Sequence, residues 1–130
     1  MVKNIQGKAE KIGESGCYLL SLLYVTDRLD DVFVCYTKFL EKGFIDEDCF
    51  IKDPSSIMKA LTGDKYTVKK SSTFDPKADF IIAYYYNPKT KYHHFVVHNK
   101  ENKLEYDSFG LSNTVKNGYV ESYRLFYKEV

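Results

Sequence analysis

The sequence predicts an α+β protein, with helices in the first half of the chain and an antiparallel sheet in the second. Apolar residues recur at helical spacing as far as residue 62, and beyond residue 64 they occur in short β-favouring runs bounded by turn residues. A chain of 130 residues has the length of one compact domain. We therefore expect a single domain over residues 1–130, in which a buried helix packs against the sheet.

Three helices are predicted, at residues 17–26, 31–42 and 54–62. The first, CYLLSLLYVT, is apolar nearly all round, which indicates a helix buried on most sides, and its candidate caps are Ser15 and Gly16. In the other two, a glycine directly follows the last helical residue. The third also has an Asp-Pro start, with Asp53 as the N-cap and Pro54 at the first helical position.

Five strands are predicted, at residues 66–70, 79–86, 92–98, 103–107 and 119–128. The second of these, DFIIAYYY, has few polar breaks, which is typical of a central strand. Short turns rich in asparagine separate the third strand from its neighbours on both sides, and such turns join antiparallel strands.

Composition and charge exclude several classes of function. The chain is 44% hydrophobic and 28% charged, has a net charge of +1, and contains no apolar run near the ~20 residues that span a bilayer. We therefore expect no membrane span and no nucleic-acid partner. The polar opening resembles no signal peptide, so we expect a cytoplasmic protein. The three cysteines lack CxxC and zinc-finger spacing, so we expect thiols, with no metal and no cofactor.

Cys17 is the first candidate for a chemical role. It stands where a helix is predicted to begin, and the N–H groups and dipole at a helix N-terminus favour thiolate over thiol. Gly16 beside it would leave room for the backbone of a substrate. The alternative interpretation is that Cys17 is a small core residue at the start of an apolar helix.

A histidine and an aspartate in the second half could complete a catalytic arrangement with this thiol. Strand alternation places His94 on the opposite face from His93, and Asp107 ends the next strand after a short turn. A nucleophilic thiol needs a base and an acceptor that orients the base, which His94 and Asp107 would supply. The alternative is that the histidines are ordinary half-buried strand residues and that Asp107 is a turn residue.

Five segments carry a resemblance to a known family: Gln6, IGESGCYLLSLL, HHFVV, YDSFG and SNTVKNGYVESYRLF, in that order. Together they resemble a small papain-like cysteine peptidase, particularly bacterial and phage domains related to the double-glycine leader peptidases. The resemblance implies a papain-like fold with Cys17 as nucleophile, His94 as base and Asp107 as orienting acid. It also implies that Gln6 and the backbone N–H of Cys17 are the oxyanion donors.

The chain departs from this family at two places. Gln6 lies eleven residues before Cys17, a longer interval than is usual, so either a loop bulges out between them or the oxyanion role of Gln6 is unfilled. The usual Asp-Pro is replaced by Asp107-Ser108, and Phe109 stands where a Trp often follows.

The sequence thus leads to one function and one alternative. The first is a thiol hydrolase that cleaves a peptide or isopeptide bond of an extended peptide or protein substrate through an acyl-enzyme. The alternative is a catalytically silent papain-like domain that binds a peptide or a partner protein. Either could be an effector of phage or mobile-element origin.

Overall fold

The computed structural model describes residues 5–130 and contains helices and a five-stranded antiparallel sheet, which confirms the α+β class. The chain divides into two compact units, one ending at Lys65 and the other beginning at Tyr66. The first unit is helical, and the second contains the sheet. Each unit is described on its own below. The packing of the buried helix on the sheet and the single domain over residues 1–130 stay predictions.

From residue 5 onward, the first unit contains four α-helices: α1 (Ile5–Ser15), α2 (Cys17–Val25), α3 (Val32–Glu41) and α4 (Pro54–Thr62). The three predicted helices are confirmed, and α3 is preceded by a 3₁₀ turn at Leu29–Asp31. Helix α1 is not predicted. It contains Gly7 and Gly13, which lower helix propensity, and buries only one side chain, that of Ile12. Its stability comes from contacts with α2 and α3.

Local sequence explains the burial of α2 and the ends of α4. Leu19, Leu22 and Leu23 of α2 are completely buried, as the all-round apolar pattern predicts. The side chain of Asp53 caps α4 by accepting the backbone N–H of Ser56 at 3.0 Å, and the helix ends at a left-handed glycine. Within residues 5–130, no helix is both long enough and apolar enough to cross a membrane.

Gly16 separates α1 from α2. It is buried, and its backbone N–H donates to the carbonyl oxygen of Ile12 at 2.8 Å. A Cβ atom at this position would lie 2.9 Å from the Cα atom of Ile12 and would also collide with the Ile12 carbonyl group. The missing side chain of Gly16 therefore makes room for the backbone of α1, whereas the sequence suggested room for a substrate. Ser15 is the last residue of α1 rather than a separate cap.

The second unit consists of one sheet and one short helix. The strands are β1 (Tyr66–Ser71), β2 (Phe80–Asn87), β3 (Tyr92–His98), β4 (Leu104–Tyr106) and β5 (Tyr119–Lys128). Their order is β1-β5-β2-β3-β4 with antiparallel pairing throughout, so β2 is the central strand, as predicted. The short helix α5 (Asn113–Asn117) is not predicted, although Ser112 before it and Gly118 after it are recognisable end signals.

The two adjacent histidines of β3 lie on opposite faces and differ in burial. His94, Val96 and His98 alternate along one face and are all buried, and Val96 belongs to an apolar cluster that includes Ile81 and Leu125. His93 lies on the other face and is exposed. The strand alternation inferred from the sequence is therefore correct.

Candidate active site

His94 and Asp107 form a buried hydrogen-bonded pair in the second unit. The Nε2 atom of His94, in β3, lies 2.7 Å from Oδ1 of Asp107, which directly follows β4. The side chains are only 4% and 0% exposed, respectively. The contact predicted between these two residues is therefore confirmed. It is shielded from water, and a charge-assisted hydrogen bond is stronger in the protein interior than in water.

The carboxylate of Asp107 also organises the loop that follows it. Its Oδ1 atom accepts the backbone N–H of Phe109 at 2.9 Å, and its Oδ2 atom accepts the backbone N–H of Ser112 at 2.8 Å. The loop turns through Gly110, which has a φ of +84°. The hydroxyl of Ser112 in turn caps α5 by accepting the N–H of Val115. One anion thus holds both the imidazole and the connection to α5.

These hydrogen bonds determine the charge of Asp107. Burial raises the pKa of this carboxyl, but the backbone N–H groups of Ser112 and Phe109 and the hydrogen bond with His94 together hold the pKa below its ordinary value of 3.8. Asp107 is therefore an anion at neutral pH, and the Nε2 atom of His94 carries the hydrogen between them. Nδ1 is then the nitrogen of the neutral ring that can accept a proton.

Phe109 covers the ring of His94. The two rings are stacked with centroids 4.8 Å apart and an angle of 4° between their planes. Phe109 itself is 62% exposed, and Leu111, in the same loop, is 60% exposed. The sequence marks Phe109 only as the replacement of a Trp. Its position two residues after Asp107, in a turn closed by the aspartate, is the signal that relates it to His94.

His93 has a different environment from its neighbour. Its ring stacks on Tyr84 with centroids 4.8 Å apart, and its Nε2 atom lies 3.6 Å from the carboxylate of Glu121. The side chain is 38% exposed. Only His94 of the two therefore lies in the buried arrangement with Asp107.

Cys17 is the first residue of α2 in the first unit, as the sequence predicts. It is half-buried, its N-terminal neighbour Gly16 is the N-cap, and its carbonyl oxygen accepts the hydroxyl of Ser21 at 2.7 Å. The helix start is the kind of position that favours a thiolate. Because Cys17 belongs to one unit and His94 to the other, contact between the thiol and the imidazole stays a prediction.

Gln6 is the second residue of α1 and is exposed. Of the two alternatives for the interval between Gln6 and Cys17, the bulged loop is wrong, since a helix occupies the interval as far as Ser15. At about 1.5 Å of rise per residue, Gln6 and Ser15 are roughly 13 Å apart along the axis of α1. Two donors to one oxyanion must both lie within ~3 Å of it, so this geometry does not favour the role predicted for Gln6.

The other two cysteines are buried in the first unit. Burial raises the pKa of Cys35. Burial also raises the pKa of Cys49, to about 12, with smaller contributions from the charges of Cys17 and Asp46. Both thiols therefore stay protonated and unreactive at neutral pH. Over residues 5–130, no group of three or more His, Cys, Asp or Glu side chains is arranged to hold a metal ion.

Comparison with known proteins identifies the family but no activity. No curated protein and no solved structure gives a significant match to the chain. A family described as a protein of unknown function, DUF261, matches residues 2–128, nearly the whole sequence. The chain therefore belongs to the DUF261 family.

Proposed function

We propose that the protein is a papain-like thiol hydrolase that cleaves a peptide or isopeptide bond. Cys17 is the nucleophile, His94 the general base and acid, and Asp107 the residue that orients the imidazole. The observation that carries this proposal is the buried 2.7 Å hydrogen bond between His94 and Asp107. A base held in one tautomer by a fixed anion is what a nucleophile–base–acid arrangement requires.

The proposed reaction steps follow from which nitrogen of His94 carries a hydrogen. With Nε2–H committed to Asp107, the Nδ1 atom of His94 takes the proton of the Cys17 thiol, and the thiolate attacks the carbonyl carbon of the scissile bond. The imidazolium then gives that proton to the leaving amine as the C–N bond breaks, which leaves a thioester on Cys17. In the second half, His94 takes a proton from water, the hydroxide attacks the thioester, and the proton returns to the departing thiolate.

A backbone donor suffices for part of the oxyanion stabilisation. In this proposal the N–H of Cys17, at the start of α2, donates to the developing oxyanion, where the dipole of the helix also favours negative charge. Gln6 has no part in the proposal because of its distance along α1.

The substrate proposed is an extended peptide or a flexible segment of a protein. Phe109 and Leu111 supply exposed apolar surface on a loop that Asp107 holds rigid next to the base. Apolar side chains on an ordered loop suit contacts with peptide side chains, since little entropy is lost when they bind.

A catalytically silent papain-like domain is the second candidate. The observation that favours it is the same exposed apolar surface of Phe109 and Leu111, which a binding module needs as much as an enzyme does. The two candidates differ at Cys17. Hydrolysis requires a thiolate paired with His94, whereas peptide binding does not.

Alkylation of the thiols by iodoacetamide between pH 5 and 8 is the test, with the labelled residue identified by mass spectrometry. We expect Cys17 alone to react at mildly acidic pH, because an imidazolium and a helix N-terminus bring its pKa below the ~8.5 of an ordinary thiol. In the His94→Ala variant this acidic reactivity should disappear. His93→Ala is the matched control, since His93 is the adjacent histidine on the opposite face.

Two results decide between the candidates. Loss of acidic reactivity in His94→Ala but not in His93→Ala supports the hydrolase, and cleavage of a synthetic peptide mixture that stops in Cys17→Ala establishes it. A Cys17 that reacts no faster than a simple thiol in the folded wild-type protein would contradict the hydrolase and leave the binding module.

A further inference from the structure

A second buried histidine, His98, lies on the same face of β3 as His94 and has hydrogen-bond partners at both ring nitrogens. Its Nε2 atom lies 2.8 Å from the hydroxyl of Tyr85 in β2, and its Nδ1 atom lies 2.9 Å from Oδ1 of Asn102 in the β3–β4 turn. The same Oδ1 atom accepts the hydroxyl of Tyr123 in β5 at 3.1 Å. Four side chains from three strands and a turn thus form one connected network.

The acceptor oxygen of Asn102 fixes the first hydrogen of this network. The Oδ1 atom of Asn102 can only accept, so the Nδ1 atom of His98 carries a hydrogen and donates it. In the neutral ring Nε2 is then an acceptor, and the hydroxyl of Tyr85 must donate to it. The network therefore fixes the Nδ1–H tautomer of the neutral ring, whereas a protonated ring would donate from Nε2 to the oxygen of Tyr85. Burial lowers the pKa of His98, while its hydrogen bond with Asn102 acts in the opposite direction.

Tyr85 connects this network with the candidate active site. In the register of β2 and β3, Tyr85 is directly opposite His94, and such cross-strand neighbours have Cβ atoms about 5 Å apart. Burial, followed by the charges of Tyr123 and Asp107, raises the pKa of Tyr85, so the carboxylate that orients His94 also acts on the phenol. The backbone of Tyr85 is paired with that of His94, and the hydroxyl of Tyr85 is hydrogen-bonded to His98.

We propose that His98 and Tyr85 are positioning residues for the His94–Asp107 pair: a neutral His98 accepts the hydroxyl of Tyr85 and holds the phenol beside His94, and protonation of His98 reverses this hydrogen bond. Protonation makes Nε2 a donor, so the hydroxyl of Tyr85 must turn its own hydrogen away from Nε2 and accept instead. The catalytic consequence rests on the proposed function, whereas the structural coupling between the two histidines does not.

Few other groups of the second unit act on His98. Tyr85 faces it from β2, Tyr123 from β5 and Asn102 from the turn. Its pairing partner in β4 is the apolar Leu104. The charged residues of the turn, Lys100 and Glu101, are exposed. The nearest titratable group on β3 itself is His94, four residues away. A change of charge at His98 therefore acts mainly through Tyr85.

Nitrogen-15 NMR of the histidine rings between pH 4 and 8 tests this coupling without any substrate. We expect His98 to show the Nδ1–H tautomer at neutral pH and to titrate below 6.5, its ordinary value. The signals of His94 should also shift over the pH range in which His98 titrates, which is the coupled shift. In Tyr85→Phe the donor to Nε2 is absent, so the titration of His98 should move to higher pH and the coupled shift of His94 should shrink. Tyr86→Phe, on the other face of β2, is the control.

His98→Gln provides the conservative variant, because its amide can accept from Tyr85 and donate to Asn102 but does not titrate. His94 should then keep its neutral-pH signals and lose the coupled shift. The proposal would be overturned by an Nε2–H tautomer at His98. It would also be overturned if the pH dependence of the His94 signals were the same in Tyr85→Phe and His98→Gln as in the wild-type protein. If the coupling is observed while alkylation of Cys17 is independent of His94, the positioning network stands and the hydrolase fails.

Discussion

His94 and Phe109 lie face to face with their ring planes within 4° of parallel, and the carboxylate of Asp107 bonds to both residues. It accepts the Nε2–H of His94 and the backbone N–H of Phe109 through the same oxygen atom. The imidazole and the ring that covers it are therefore positioned by one anion. A change at Asp107 should alter both the orientation of the imidazole and the loop above it.

Asp107→Asn should destabilise the second unit as well as impair any turnover. An asparagine offers one acceptor oxygen and one NH₂ group, and the NH₂ must face at least one of the N–H donors that Asp107 now satisfies. A buried donor without an acceptor costs about 1–3 kcal/mol of unfolding free energy. Urea denaturation measures this loss, with Asp30→Asn at an exposed site as the control for lost charge. Equal stability of both variants would contradict the role assigned to the carboxylate.

His94→Ala and His93→Ala should differ sharply. The first leaves the Asp107 anion buried with one partner fewer and opens a cavity, so we expect a loss of roughly 2–4 kcal/mol. The second removes a half-exposed ring stacked on Tyr84, for which about 0.5–1.5 kcal/mol is expected. Chemical denaturation with circular dichroism detection compares the two. The reverse order would mean that the alternation of β3 is shifted by one residue.

Gly16→Ala and Cys17→Ala should distinguish a residue needed for stability from a residue needed for turnover at the start of α2. Because the added methyl group of Gly16→Ala meets the backbone of Ile12, which moves only with α1, we expect a loss of about 1–3 kcal/mol. Cys17→Ala removes one half-buried sulfur and should cost less than the ~2–5 kcal/mol of emptying a large core site. Thermal unfolding of both variants tests this difference. In Cys17→Ala the proposed turnover should disappear, while the fold should be retained.

The free energy of unfolding should decrease in two separate steps as the pH is lowered. The pKa of His98 is lower in the folded protein than its ordinary 6.5, so the unfolded chain binds more protons below that pH and stability declines from about 6.5 down to the folded pKa. The pKa of Asp107 is also lowered, and its contribution is lost later, as pH falls below 3.8 through its folded pKa. Unfolding free energies measured every half unit of pH should show both steps. His98→Gln should abolish the first, and its persistence would assign that step to another group.

The sequence by itself determined the order of the predicted elements and the face on which each histidine lies. Strands β3 and β5 occupy the residues that alternation and turn signals predict, and the caps of α4 are those read from Asp53, Pro54 and Gly63. These features depend on side chains near one another along the chain, so local sequence is sufficient. The same is true of His94 and Asp107, which a short hairpin brings together.

Tertiary structure alone decided the features that depend on distant parts of the chain. Helix α1 has weak propensity and forms because α2 and α3 pack against it. The network at His98 joins residues 85, 98, 102 and 123, which become neighbours only when β5 pairs with β2 and β2 with β3. No local pattern specifies which polar side chains will meet in a buried space, because the sheet register selects them.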